Sequence, residues 1–240
     1  MSDRLRQLFS RVHSTLGASG GMFAAIVLLQ GLGGREPQLV MMQLLALVIA
    51  IPVHEFAHAL STVNNGDPGP KREGRLSILP WDHFDVMGAV FCVFSTIAGF
   101  GLGWGRPVRF NPGLFKNPKV DTAKVAAWGP TSNLLLAVLF ALPFRLNLLS
   151  AGDEGLALFC YICIMVNISL MLFNLIPIGP LDGAKVVAAF LPDYQAHEFW
   201  KFQERWGTIL LYGLVFFGRP ILSLVLMGPM NVLVGLLLGR

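Results

Sequence analysis

The chain has 240 residues, of which 54% are hydrophobic and only 13% charged, with a formal net charge of +4 and a mean hydropathy of +0.63. A soluble domain carries about 25% charged residues, so this composition excludes an ordinary soluble domain. It leaves an all-α polytopic membrane protein of roughly five to six spans. The basic residues sit in loops beside apolar segments, where they read as topology determinants, and they give no sign of nucleic-acid binding.

Residues 1–17 form a basic N-terminus carrying Arg4, Arg6 and Arg11, and 18–240 form a single transmembrane domain. Six apolar segments follow in order: 18–33, 38–62, 86–104, 122–144, 155–180 and 206–238. The last is interrupted by Gly218-Arg219-Pro220 and Gly228-Pro229. A hydrocarbon core about 30 Å thick needs about 20 helical residues. The second, fourth and fifth segments satisfy that, while the first is a short span or a half-inserted piece. Between the second and third lies Asn64-Asn65-Gly66-Asp67-Pro68-Gly69-Pro70, a strong chain break. After the third, Val108 and Phe110 alternate with Arg109 and Asn111, a pattern that suits a short strand or extended edge at the membrane surface.

The second segment ends in His54-Glu55-Phe56-Ala57-His58. On a helix, this spacing sets both imidazoles on one face, where they can share a zinc ion, with Glu55 poised as general base. Ionisable groups at membrane depth are rare without a function. A catalytic zinc takes three protein ligands and leaves a position for water. The candidate third ligand is Asp182, at the end of the fifth segment, where Pro177 and Pro180 break the helix. The plain alternative for Asp182 is a cap on a helix beginning near Gly183. Asn174 and Asn133 are candidate oxyanion or substrate donors, with a hydrogen bond between membrane helices as the alternative for each. Cys160 and Cys163 read as small core residues rather than a metal or redox pair. His13, His83 and His197 read as surface histidines, and Trp81, Trp104, Trp128 and Trp206 as interfacial anchors.

Sharing one ion demands that the ends of the second and fifth segments face the same side of the bilayer. The third segment then cannot cross once, so the stretch near 86–112 is expected to be re-entrant or to lie on the surface. This arrangement gathers the basic residues of the loops on the ligand side, and the positive-inside rule puts that side toward the cytoplasm.

The chain resembles the site-2 protease family of intramembrane zinc metalloproteases. The likeness rests on His54-Glu55-x-x-His58, Gly129-Pro130-x-x-Asn133 and Asn174-x-x-Pro177-x-x-Pro180-Leu181-Asp182-Gly183, in that order, and on the GRPVRFNP stretch at 105–112. It covers roughly residues 39–187 and corresponds to a compact form without PDZ or CBS domains. It implies one zinc held by His54, His58 and Asp182, with Glu55 as catalytic base. It also implies cleavage of peptide bonds in or near transmembrane segments of other proteins (regulated intramembrane proteolysis), in a bacterial or archaeal plasma membrane. Asn174 would help hold the unwound substrate. Trp128 stands where many relatives carry a small residue. The competing readings are a membrane metal-binding or transport protein, which does not need Glu55, and an inactive homologue that only binds transmembrane proteins.

Overall fold

The structure, a computed structural model, describes residues 37–86, 88, 105–150 and 152–239. The expected first span at 18–33, His13, Trp104 and most of the 86–104 segment lie outside them. The described residues form helices and turns with no strand among them.

Helix α1 (Pro37–Asn64) carries the HExxH motif in its last third, with Pro52 inside it. Two short turns follow, α2 (Gly69–Arg72) and α3 (Pro80–His83). An irregular stretch at 105–111 then leads into the 3-10 turn Pro112–Leu114. Helix α4 (Pro118–Arg145) starts with proline at its first position, where a missing N–H costs nothing. The Asp121 carboxylate reaches back to accept from the Asn117 N–H at 2.9 Å. Beyond the far end of α4, Asn147 adopts φ 52°, a left-handed position that Asn tolerates better than most residues. Helix α5 (Glu154–Asn174) returns, and α6 (Asp182–Phe190) and α7 (Asp193–Phe202) follow. A π-turn, Gln203–Gly207, joins α7 to α8 (Thr208–Phe216), and α9 (Arg219–Leu238) ends the fold.

Four of these helices are long and apolar enough to cross a membrane: 41–64, 118–145, 154–174 and 220–238. α5 is buried on every side from Ala157 to Met171, as expected of a helix that is hydrophobic all round. Ala46 and Ala50 of α1, Ala137 and Ala141 of α4, Ala157 of α5 and Met230 and Val234 of α9 belong to the same core. The small residues let backbones approach closely, which substitutes for the hydrophobic drive that lipid removes.

Contacts at the helix ends set the topology. The Arg106 N–H donates to the His83 carbonyl at 2.8 Å, so both flanks of the third apolar segment meet at the HExxH end of α1. Arg145, at the other end of α4, donates to the Leu236 carbonyl at 3.0 Å. Leu222 and Leu226 pack beside Leu172 and Phe173. α9 therefore runs antiparallel to α5, from the HExxH end to the far end. The expected break at Gly218-Arg219-Pro220 is present, but the one at Gly228-Pro229 is not. Pro229 sits inside α9, where one lost backbone bond is tolerated because the flanking turns hold the helix. The fifth segment is helical only to Asn174, and 175–181 is a turn.

Candidate functional site

α1 places His54 and His58 one turn apart, with their rings edge to face and their Nε2 atoms 3.0 Å apart. Asp182 is the first residue of α6, and its Oδ2 lies 3.0 Å from His58 Nε2 and 3.3 Å from His54 Nε2. All three residues are buried, at 8%, 8% and 6% exposure. Bonds of about 2.0–2.1 Å at tetrahedral angles set ligand atoms about 3.3 Å apart, so the triangle has the dimensions of a zinc site. Among the described residues these three form the one cluster of His, Cys, Asp and Glu side chains that could hold a metal ion.

A chain of amides decides which ring nitrogens face this triangle. Asn167 Nδ2 donates to the Cys163 carbonyl at 2.9 Å, so its oxygen faces Asn133 and accepts from Asn133 Nδ2 at 3.0 Å. The Asn133 oxygen must then face His54 Nδ1, at 2.6 Å. An amide oxygen only accepts, so Nδ1 of His54 carries the proton. His58 Nδ1 likewise lies 2.7 Å from the Val125 carbonyl and is the donor. In the neutral rings both Nε2 atoms therefore present lone pairs to each other and to the carboxylate. Facing lone pairs repel, and a cation between them turns the repulsion into attraction. This donor set fits zinc.

Other residues make room for the triangle and brace it. A Cβ on Gly129 would come within 2.3 Å of His58 Nε2 and 2.7 Å of His54 Cε1, so only glycine lets the α4 backbone approach both rings. A Cβ on Gly183 would lie 2.2 Å from the Leu175 carbonyl, which explains glycine directly after Asp182. Lys185 donates to the other Asp182 oxygen at 3.1 Å.

Glu55 is half-buried beside the triangle, and its Oε2 accepts from the Val108 N–H at 3.1 Å. This bond ties the 105–111 stretch to the site. Val108 and Phe110 are half-buried there, while Arg106, Arg109 and Asn111 are exposed. The expected alternation is present, and among the described residues it pairs with no strand.

The structure thus brings His54, His58, Asp182, Glu55 and Asn133 together. Asn133 is fully buried behind His54 with both amide atoms committed. Asn174 lies near the end of α5, and its amide donates to the Leu170 carbonyl at 3.0 Å. Asp182 caps nothing with its side chain, since Leu181 precedes the helix as N-cap. Sequence reasoning missed Asn167, Lys185 and the Val125 carbonyl, whose roles depend on which helices face each other. One expectation is corrected. His83 is buried rather than on the surface, because the α3 turn folds against α1 and the ring donates to the Ser77 carbonyl at 2.6 Å. Cys160 and Cys163 are free and buried in the core. His197 is exposed, and Trp81 and Trp206 are exposed near helix ends; Trp128 is exposed too, but well inside α4 rather than at its end.

Comparison with known proteins gives two matches. Residues 143–217, which include Asn174 and Asp182, match the family model "Peptidase family M50". The Bacillus subtilis (strain 168) protein named "Putative zinc metalloprotease YwhC" is 35% identical over 193 residues, covering 78% of this chain and 84% of the relative. No solved structure matches.

Proposed function

The chain belongs to peptidase family M50, and from that premise we propose that it is an intramembrane zinc endopeptidase cleaving peptide bonds in or near transmembrane segments of other membrane proteins. Its four apolar helices make it an integral membrane protein. One observation carries the catalytic reading: two Nε2 lone pairs and a carboxylate converge within 3.0–3.3 Å inside a membrane domain, with Glu55 next to them in sequence.

In this reading His54, His58 and Asp182 hold one zinc ion. Zinc there supplies a Lewis acid for the scissile carbonyl and lowers the pKa of water toward about 7. Glu55 takes the proton of the attacking water and hands it to the leaving amine. The Val108 N–H holds Glu55 through one oxygen, leaving the other for that proton. Asn133 keeps His54 in the tautomer that ligates. Asn174, at the end of α5 where the 175–181 turn begins, is the donor we assign to the substrate carbonyl. A substrate helix must unwind before its peptide bonds can be attacked, and the 105–111 stretch offers backbone on which an extended segment can lie.

The ligand end carries Lys71, Arg72, Arg106, Arg109, Lys116, Lys119, Lys185, Lys201 and Arg205, whereas Arg145 lies at the far end. By the positive-inside rule the site faces the cytoplasm of a bacterial or archaeal plasma membrane, with lipid around it and transmembrane proteins as substrates. The test is cleavage of transmembrane peptides in proteoliposomes. The Glu55→Gln variant is expected to keep zinc and to lose cleavage by about 10²–10⁴-fold. A chelator should abolish wild-type cleavage and added zinc restore it. Equal cleavage by wild type and Glu55→Gln removes Glu55 from the mechanism.

A further inference from the structure

We infer that Gln203 and Gly207 are positioning residues for the Asp182 carboxylate, and that the π-turn they occupy clamps the 177–181 turn and so sets the affinity of the three-ligand site for its metal. This rests on the zinc reading above.

The turn that delivers Asp182 is poorly held by its own backbone. Pro177 and Pro180 have no N–H, and the internal bonds it makes run only from Ile178 to the Ile176 carbonyl at 2.8 Å and from Leu181 to the Ile178 carbonyl at 2.9 Å. The Gly179 N–H and the Pro177 carbonyl are left over, and one side chain satisfies both. The Gly179 N–H donates to Gln203 Oε1 at 2.8 Å, and Gln203 Nε2 donates to the Pro177 carbonyl at 3.1 Å. A primary amide supplies an acceptor and a donor at once, which neither a carboxylate nor an ammonium can do. Gln203 is 6% exposed, so no bulk water substitutes for it.

The second contact is independent of hydrogen bonding. A Cβ on Gly207 would lie 2.4 Å from the Gly179 carbonyl oxygen and 3.0 Å from Gln203 Oε1. The π-turn spans Gln203–Gly207, and both of its end residues meet Gly179. Such turns are rare overall and are frequent at functional sites. Asp182 follows Gly179 by three residues. A shift of the clamped turn is therefore a shift of the third ligand, while His54 and His58 stay fixed on α1. Groups that orient ligands typically change metal affinity by 10–100-fold when mutated.

The experiment measures zinc affinity of the full chain in detergent micelles by competition with a chromophoric chelator, with helicity and the unfolding midpoint in excess chelator recorded alongside. Gln203→Met keeps length and removes both hydrogen bonds; Gly207→Ala keeps the bonds and removes the space. Both are expected to weaken zinc binding by about 10–100-fold, while Glu204→Gln, on the exposed side of the same π-turn, leaves it unchanged. Wild-type affinity in both variants overturns the proposal. So does a lowered unfolding midpoint with zinc affinity intact, which would make the clamp purely structural. Asp182→Ala serves as reference: if it binds zinc as tightly as wild type, the zinc reading itself fails, irrespective of the clamp.

Discussion

Gly129, Asn133 and Glu55 act on the site in three physically separate ways, and each can be removed singly. Gly129 supplies space. Gly129→Ala would place a methyl 2.3 Å from His58 Nε2, so the ring or α4 must move. Zinc affinity should fall at least about 10-fold, as when other ligand-orienting groups are lost, with the helix content unchanged by circular dichroism. Asn133 supplies orientation. Asn133→Ala frees His54 Nδ1 and leaves the Asn167 oxygen unpaired, which should lower zinc affinity by about 10–100-fold. It should also destabilise the fold by about 1–3 kcal/mol, the price of a buried unsatisfied polar group, read from unfolding in micelles. In the proposed mechanism Glu55 supplies a proton acceptor and no metal bond, so its loss is expected in turnover and not in zinc content.

At the scale of the element, α5 is the axis of the fold. It carries Asn167, which orients Asn133, and it ends at the turn that presents Asp182. It is nearly featureless in hydrophobic pattern, because it is surrounded by protein and has no lipid face to distinguish. α7, by contrast, is tethered from outside. Lys119 at the start of α4 donates to Asp193 at 2.8 Å and to the Leu191 carbonyl. That bond, and then the lysine's charge, hold the Asp193 carboxyl below its ordinary value of 3.8. A carboxyl depressed in the folded state stabilises it above the unfolded pKa, and that contribution is lost as pH falls through the folded one. The amides of α7 should therefore exchange faster below about pH 4, the ordinary range for Asp, and Asp193→Asn should show the faster exchange already at neutral pH. Hydrogen exchange followed by mass spectrometry checks both. The effect should be small and weakened by salt, since the pair is exposed.

At the scale of the molecule, the described helices form a bundle with the His54–His58–Asp182 cluster and most of the described basic residues toward one end, and Arg145, Asp153 and Glu154 at the other. α1 runs to the cluster end, α4 leaves it, α5 returns to it and α9 leaves it again, so the C-terminus of α9 lies beside the end of α4. Cysteines introduced at Lys71 and Lys116 should label with an impermeant reagent from the same face. Those at Leu148 and Gly239 should label only from the opposite one. Labelling of Lys71 and Lys116 from opposite faces would break the topology.

The pairing of two histidines on one helical face, with a glutamate between them in sequence, was legible because it depends on the helical period alone. The apolar segments at 38–62 and 122–144 were legible because membrane thickness sets a minimum length. Asp182 was expected beside the two histidines, and the structure places its carboxylate there. What the sequence could not reveal is everything that requires knowing which surfaces meet. The Asn167–Asn133–His54 relay joins α5, α4 and α1, and each asparagine by itself could as well be a simple bond between helices. Gly129 stood out in the sequence only as part of a motif; why it must be glycine shows once α4 is seen against His54 and His58. The burial of His83 depends on a four-residue turn folding back on α1. Gln203 lies 21 positions beyond Asp182 and acts on it through the Gly179 turn. Local periodicity carries chemistry that lies on one element; contacts between elements are decided by packing, which only the tertiary structure displays.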